Sequence, residues 1–171
     1  MTNVADSIAI WLAEKEITHC FGIIGAGNIA IFDAIDRLGK TEILCCHHEQ
    51  ACAQAATYYY RVSQKIAPVL VTTGAGSANA LTGVLAAFMD SQPLLVISGN
   101  EPSNFFNVSH PRVIGVQGYD SVAVAKPIVK YAERMGEGTI EILETAYECI
   151  LTPRYGPAWI DCPRDVQQRR V

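Results

Sequence analysis

Charge is scarce in this chain: only 18% of its 171 residues are Asp, Glu, Lys or Arg, while half are hydrophobic. So few charged side chains leave little to clothe a free monomer, and extensive contacts with other subunits are expected. A basic excess is missing too. The net charge is −4, and the one basic cluster, Arg164, Arg169 and Arg170, sits at the very end, which argues against nucleic acid as a partner. No apolar run reaches the ~18 residues that argue for a membrane span. The N-terminus lacks the charged start, apolar middle and cleavage site of a signal peptide. The expectation is a cytoplasmic protein with no membrane partner.

Several catalytic signatures are absent as well. Cysteines stand at 20, 45, 46, 52, 149 and 162 with no C-x-x-C spacing and no histidine placed to complete a zinc site, so they are expected to be reduced core residues. His47, His48 and His110 have no carboxylates and cysteines at metal-ligand spacing, and no metal site is expected in this chain. A G-x-S-x-G elbow and a Walker lysine are both missing, which sets aside serine hydrolases and P-loop enzymes.

What is present is a repeated alternation of strand and helix. Pro68 to Thr72 and Pro93 to Ile97 are apolar throughout, without polar alternation, as strands covered on both faces are. Shorter strands are readable at His19 to Ile23, Ile43 to Cys46, Ile128 to Tyr131 and Ala158 to Asp161. Helical spacing marks Val4 to Glu16, Glu49 to Arg61, Ser77 to Met89 and Ile140 to Leu151. Ala78, Leu81, Leu85 and Phe88 share one stripe, and Cys52, Ala55, Ala56 and Tyr59 another, both with small residues that allow close packing. The pattern predicts one domain over residues 1–171: an open, mainly parallel six-stranded α/β sheet with helices on both faces. The stretch from Gly99 to Gly118, rich in Pro and Asn, is too long for a simple connection and is a candidate active-site loop.

Ligands of such sheets bind beyond the carboxyl ends of the strands, and three strand-to-helix turns lie there. The first is His47-His48-Glu49-Gln50, where Glu49 either faces a ligand or simply complements the N-terminal dipole of a helix. The second, Thr72-Thr73-Gly74-Ala75-Gly76-Ser77-Ala78-Asn79, could cradle a phosphate or a ring edge, or serve only as a structural turn. The third runs from Phe21 through Gly25, Ala26 and Gly27 to Asn28. Three such turns on successive strands point to a shared pocket.

The same segments, in this order and over essentially the whole chain, resemble the N-terminal pyrimidine-binding domain of thiamine-diphosphate enzymes of the acetolactate synthase, pyruvate oxidase and benzoylformate decarboxylase family. The resemblance rests on His48-Glu49-Gln50 with an Ala-rich helix ending in Arg61, on Thr73 to Asn79, on Pro93 to Gly99, and on Gly156 to Gln167. Gln117, with Pro127 and Lys130 downstream, resembles a stretch of acetolactate synthases that begins Phe-Gln. It implies a flavodoxin-like fold and thiamine diphosphate as cofactor. Glu49 would bond the aminopyrimidine nitrogen N1′ and promote loss of the thiazolium C2 proton, with Gln117 as a second catalytic residue. Ile24, Gly25, Ala26, Thr73, Gly74, Gly76 and Asn79 would line the cofactor, and His110, Val116, Gln117 and Arg164 the substrate pocket.

Three departures from the family pattern stand near the cofactor and substrate: Ile24 where many relatives have proline, Ala75 in the middle of the Gly-Pro-Gly turn, and Val116 for phenylalanine before Gln117. A larger one is that the Gly-Asp-Gly motif that binds diphosphate and metal is absent from these residues. The resemblance therefore implies a second subunit carrying that domain and the Mg²⁺ ligands. It further implies a homodimer or heterotetramer and a small 2-keto acid or acyl donor as substrate. A non-catalytic regulatory or binding module, or an isolated nucleotide-binding domain, are the competing readings.

Overall fold

The computed structural model describes residues 2–107, 112–136 and 138–171. Its first helix, α1 (Val4–Glu14), opens on a capping box in which Asn3 Oδ1 accepts the Asp6 amide at 2.8 Å and Asp6 Oδ2 accepts the Asn3 amide at 3.0 Å. Strands and helices then alternate: β1 (His19–Gly22), α2 (Ile29–Leu38), β2 (Glu42–Cys45), α3 (Glu49–Ser63), β3 (Val69–Val71), α4 (Ala75–Met89) and β4 (Leu94–Asn100). After a 3₁₀ turn at Ser103–Asn107 come α5 (Ser121–Ala125), β5 (Tyr131–Arg134), α6 (Thr139–Leu151), β6 (Pro157–Pro163) and the short α7 (Arg164–Gln167).

The six strands form one sheet in the order β2-β1-β3-β4-β6-β5, and all five pairings are parallel. The three apolar strands β3, β4 and β6 lie in its middle with every residue buried. Edge strands β2 and β5 contain no buried residue. From β1 the chain steps outward to β2, and from β3 it steps the other way to β4. The carboxyl ends of β1 and β3 therefore flank the point where winding reverses, the usual crevice of doubly wound sheets.

One side of the sheet is packed with bulky residues. Ile8, Trp11 and Leu12 of α1, Ile31 and Ile35 of α2, and Leu143 and Ile150 of α6 meet Leu70, Leu95, Ile97 and Ile160 of the sheet. The other side is thin. Cys52, Ala53 and Ala56 of α3 and Ala80, Val84 and Ala87 of α4 cover Val69, Val71, Leu94, Val96 and Trp159. The two helices approach so closely that a Cβ on Gly83 would lie 2.5 Å from the Ala53 Cβ.

Some expectations need correction. The stripe of Ala78, Leu81, Leu85 and Phe88 is not the buried face of α4; Leu85 is 41% exposed and Phe88 38%, because close packing against α3 admits only small side chains. The fifth strand starts at Tyr131 rather than Ile128, since Lys126–Ile128, with Pro127, forms a 3₁₀ turn. No helix was expected over Ile29–Leu38, where α2 lies. All six cysteines are free, but only Cys20, Cys52 and Cys162 are buried. Among the described residues no helix is long and apolar enough to cross a membrane.

Candidate active site

Glu49 is the first residue of α3, four residues beyond the end of β2. His48 holds the N-cap in an extended conformation, its Nδ1 accepting the Gln50 amide at 3.2 Å, and so starts the helix at Glu49. The carboxyl group is on a residue only 8% exposed. Its Oε2 accepts Asn79 Nδ2, from the first turns of α4, at 3.0 Å. Its Oε1 forms no hydrogen bond among the described residues and faces the empty side of Gly76, where a Cβ would lie 3.1 Å away. The nearby Cys52 thiol is pushed up to about 12 by burial and by the Cys46 thiol beside it, so neither the geometry nor the acidity of Cys52 suits a nucleophile.

The turn after β3 supplies the opposite wall. Gly74 caps α4 at φ 73°, a left-handed φ that favours glycine, and Ser77 Oγ donates to its carbonyl at 2.9 Å. The turn after β1 is braced internally: Asn28 accepts the Gly25 amide at 2.8 Å and donates to Ile23 O at 3.1 Å. It rests directly on its neighbour, with the Gly27 amide donating to Thr72 Oγ1 at 3.0 Å. A Cβ on Gly27 would overlap Thr73 Oγ1 at 2.0 Å, so glycine here sets the approach of the two turns. Gln167 Nε2 secures the Gly27 carbonyl from behind at 2.6 Å.

A cavity of about 240 Å³ opens between these turns and the segment that follows β4, lined by Ala26, Gly27, Thr73, Asn100, Glu101, Val116, Gln117 and Arg164. Ala26, Thr73, Val116, Gln117 and Arg164, read separately from the sequence, thus meet around one space. Gln117 Nε2 reaches the Thr73 carbonyl at 3.4 Å. Glu49, Gly76 and Asn79 form a neighbouring group on the α3–α4 side of the same turn. Ile24 is 53% exposed and lines a different, larger groove of about 850 Å³ along edge strand β2. That groove contains no other residue of the expected site. His110 lies outside the described residues.

Glu101 was missed. Its carboxyl group is on a residue 8% exposed, and its Oε1 accepts the amides of Val116 at 3.2 Å and Gln117 at 3.3 Å. The signal was available, because Glu101 follows the apolar β4 just as Glu49 follows β2. Behind the loop, Asp161 is fully buried and accepts from Asn100 Nδ2, Ser121 Oγ and Arg134 Nε at 2.9, 2.8 and 2.7 Å. Burial pushes its carboxyl group upward in pKa, against the opposing pull of these donors. Among the described residues, no group of His, Cys, Asp and Glu could hold a metal ion.

Comparison with known proteins agrees with this architecture. A family profile described as "Thiamine pyrophosphate enzyme, N-terminal TPP binding domain" matches residues 2–120. The acetolactate synthase large subunit of Buchnera aphidicola subsp. Schizaphis graminum is 35% identical over 167 residues, 96% of this chain and 28% of its own length. That of Haemophilus influenzae is 34% identical, covering 94% of this chain and 28% of its own. The acetolactate synthase isozyme 3 large subunit of Escherichia coli is 30% identical, covering 97% and 28%. This chain thus spans under a third of these relatives, matching them along nearly all its own length. With that match joined to an all-parallel sheet, the chain belongs to the thiamine pyrophosphate enzyme family as an N-terminal TPP binding domain.

Proposed function

We propose that this chain is the pyrimidine-binding part of a cytoplasmic thiamine-diphosphate-dependent decarboxylase or carboligase of the acetolactate synthase type, with Glu49 as its central catalytic residue. One observation carries the reading: a buried carboxyl group at a strand end, anchored through Oε2 and with Oε1 turned toward the space beside Gly76. An aminopyrimidine fits this donor set. A flat ring can rest where Gly76 has no side chain, with a ring nitrogen bonded to Oε1.

In this reading Glu49 holds or receives one proton at Oε1 while Asn79 fixes the carboxyl plane. Gly25, Ala26, Thr73 and Gly74 set the walls with backbone and short side chains, while Ile24, which lines the separate groove along β2, is left out of the site. Val116, Gln117 and Arg164 border the substrate, a small 2-keto acid or acyl donor, and Gln117 is the second catalytic group. When bound, the thiazolium of the cofactor serves as the electron sink, which leaves positioning and proton handling to the protein.

The diphosphate and Mg²⁺ ligands are assigned to a second polypeptide, in a homodimer or heterotetramer. The outer faces of α3 and α4 support this: Tyr58, Val62, Leu85, Phe88 and Met89 are exposed there at 60, 88, 41, 38 and 67%. An apolar surface of this kind marks a protein interface. Six free thiols suit a reducing compartment.

The test is exchange of the cofactor C2 proton, followed by NMR in the enzyme reconstituted with its partner. Glu49→Gln keeps the shape and should slow exchange at least ~100-fold while assembly persists. Unchanged exchange would falsify the role of Glu49. Tight, Mg²⁺-dependent binding of thiamine diphosphate to the chain alone, seen calorimetrically, would count against the split arrangement.

A further inference from the structure

The cavity beside the Glu49 site carries both signs of charge. Arg164 is exposed at its wall and forms no ion pair among the described residues. Glu101 lines the same cavity, yet the two do not pair with each other. The oxygens of Glu101 have separate surroundings: Oε1 is occupied by the amides of Val116 and Gln117, and Oε2 forms no hydrogen bond among the described residues. The segment is folded tightly around this carboxyl group. Ile114 and Gly118 exchange backbone hydrogen bonds of 2.8 Å in each direction, and Gly115, at φ 60°, leaves no room for a side chain because a Cβ would lie 2.8 Å from Glu101 Oε2. Glu101 is thus a fixed acceptor at the wall of a small cavity, opposite in charge to Arg164.

We propose that this cavity is a subsite for a short-chain carboxylate bearing a hydroxyl group, with the ligand carboxylate facing Arg164 and its hydroxyl donating to Oε2 of Glu101. Its 240 Å³ suits a molecule smaller than the usual occupants of ligand pockets. An unsubstituted acid would strip water from Oε2 and return no donor, whereas a hydroxylated one replaces the lost hydrogen bond. This rests on the reading of the neighbouring site as one for 2-keto acids and narrows that class to hydroxylated members.

Glycerate and propanoate are the probes, titrated separately into the ¹⁵N-labelled chain without cofactor. Glycerate should move the amide resonances of Gly27, Val116 and Gln117 and bind about tenfold more tightly than propanoate. Glu101→Leu should abolish that preference. Because leucine also deprives two loop amides of their acceptor, Glu101→Gln is the companion variant; it keeps an oxygen for them, and the preference should fall to about threefold as a neutral group replaces a charged one. Arg164→Gln should weaken both acids alike. A preference undiminished in both Glu101 variants, or a parent chain in which neither acid moves these amides, overturns the proposal. The cofactor reading is tested separately: glycerate binding here, with C2 exchange untouched by Glu49→Gln, would remove that reading and leave the subsite standing.

Discussion

The two sides of the sheet solve the same covering problem with opposite means. Under α1, α2 and α6 the sheet meets Trp11, Leu12, Ile31 and Leu143, and large side chains point inward. Under α3 and α4 it meets Ala53, Ala56, Ala80 and Ala87, while Tyr58, Leu85, Phe88 and Met89 point away. The first side keeps its hydrophobic area for itself. The second spends little on its own core and offers the remainder to something else, and this is the side from which Glu49 and Asn79 project. The proposed catalytic position and the exposed apolar surface share two helices.

The comparison breaks most visibly if a cavity on the bulky side is tolerated. Leu143→Ala, at a fully buried position, should lower stability by about 3 kcal/mol in urea denaturation, in the usual range for such truncations. A loss well under ~1 kcal/mol would show that the bulky side relaxes freely. On the thin side the danger is the reverse, overfilling. Gly83→Val should destabilise by about 2 kcal/mol despite better helix propensity, since its Cβ would lie 2.5 Å from that of Ala53. Ala53→Gly in the same chain should recover part of the loss, and a lack of recovery would show that the contact is not the cause.

Outward residues should behave differently again. Leu85→Ser with Phe88→Ser is expected to change the stability of the isolated chain by no more than about 0.5 kcal/mol each, yet to abolish association seen by sedimentation equilibrium. If association is unaffected, the second side does not need a cover.

The smallest effect concerns the polar fastening of α1 to α6. Lys15 pairs with Glu144 at 2.6 Å and Trp11 Nε1 donates to Glu144 at 2.8 Å. The Lys15 hydrogen bond holds the Glu144 carboxyl group below its ordinary 4.5. Its contribution is therefore fully present above that value and is lost as the pH falls through the lowered folded-state pKa. Glu144 is 36% exposed at its side chain, so screening keeps the difference between parent and Glu144→Gln under ~1 kcal/mol at neutral pH. Acid titration of stability should show the two converging.

The alternation of strand and helix, the parallel sheet and the placement of the turns were legible because apolar runs and glycines report directly on burial and on backbone geometry, whereas the order β2-β1-β3-β4-β6-β5 was not. The sides of α4 were not, since hydrophobicity alone does not tell a core face from an interface face; size does, and Gly83 and Ala87 were the clue. The strand after Pro127 slipped because a proline-containing 3₁₀ turn imitates the start of an extended run. Glu101 was not legible because it belongs to no motif, although it stands directly after β4 at the same end of the sheet as Glu49.

Gln167 binds the carbonyl of Gly27 across a separation of 140 residues. During synthesis, the turn after β1 emerges early but cannot gain this support until α7 has left the ribosome. Gly27 also needs Thr72 and Thr73 beside it, which arrive midway. The wall of the cavity is consequently assembled in three instalments, and its completion reports that the whole sheet has formed. A nascent chain interrupted before β6 would carry Glu49 in a folded helix and still lack a finished pocket.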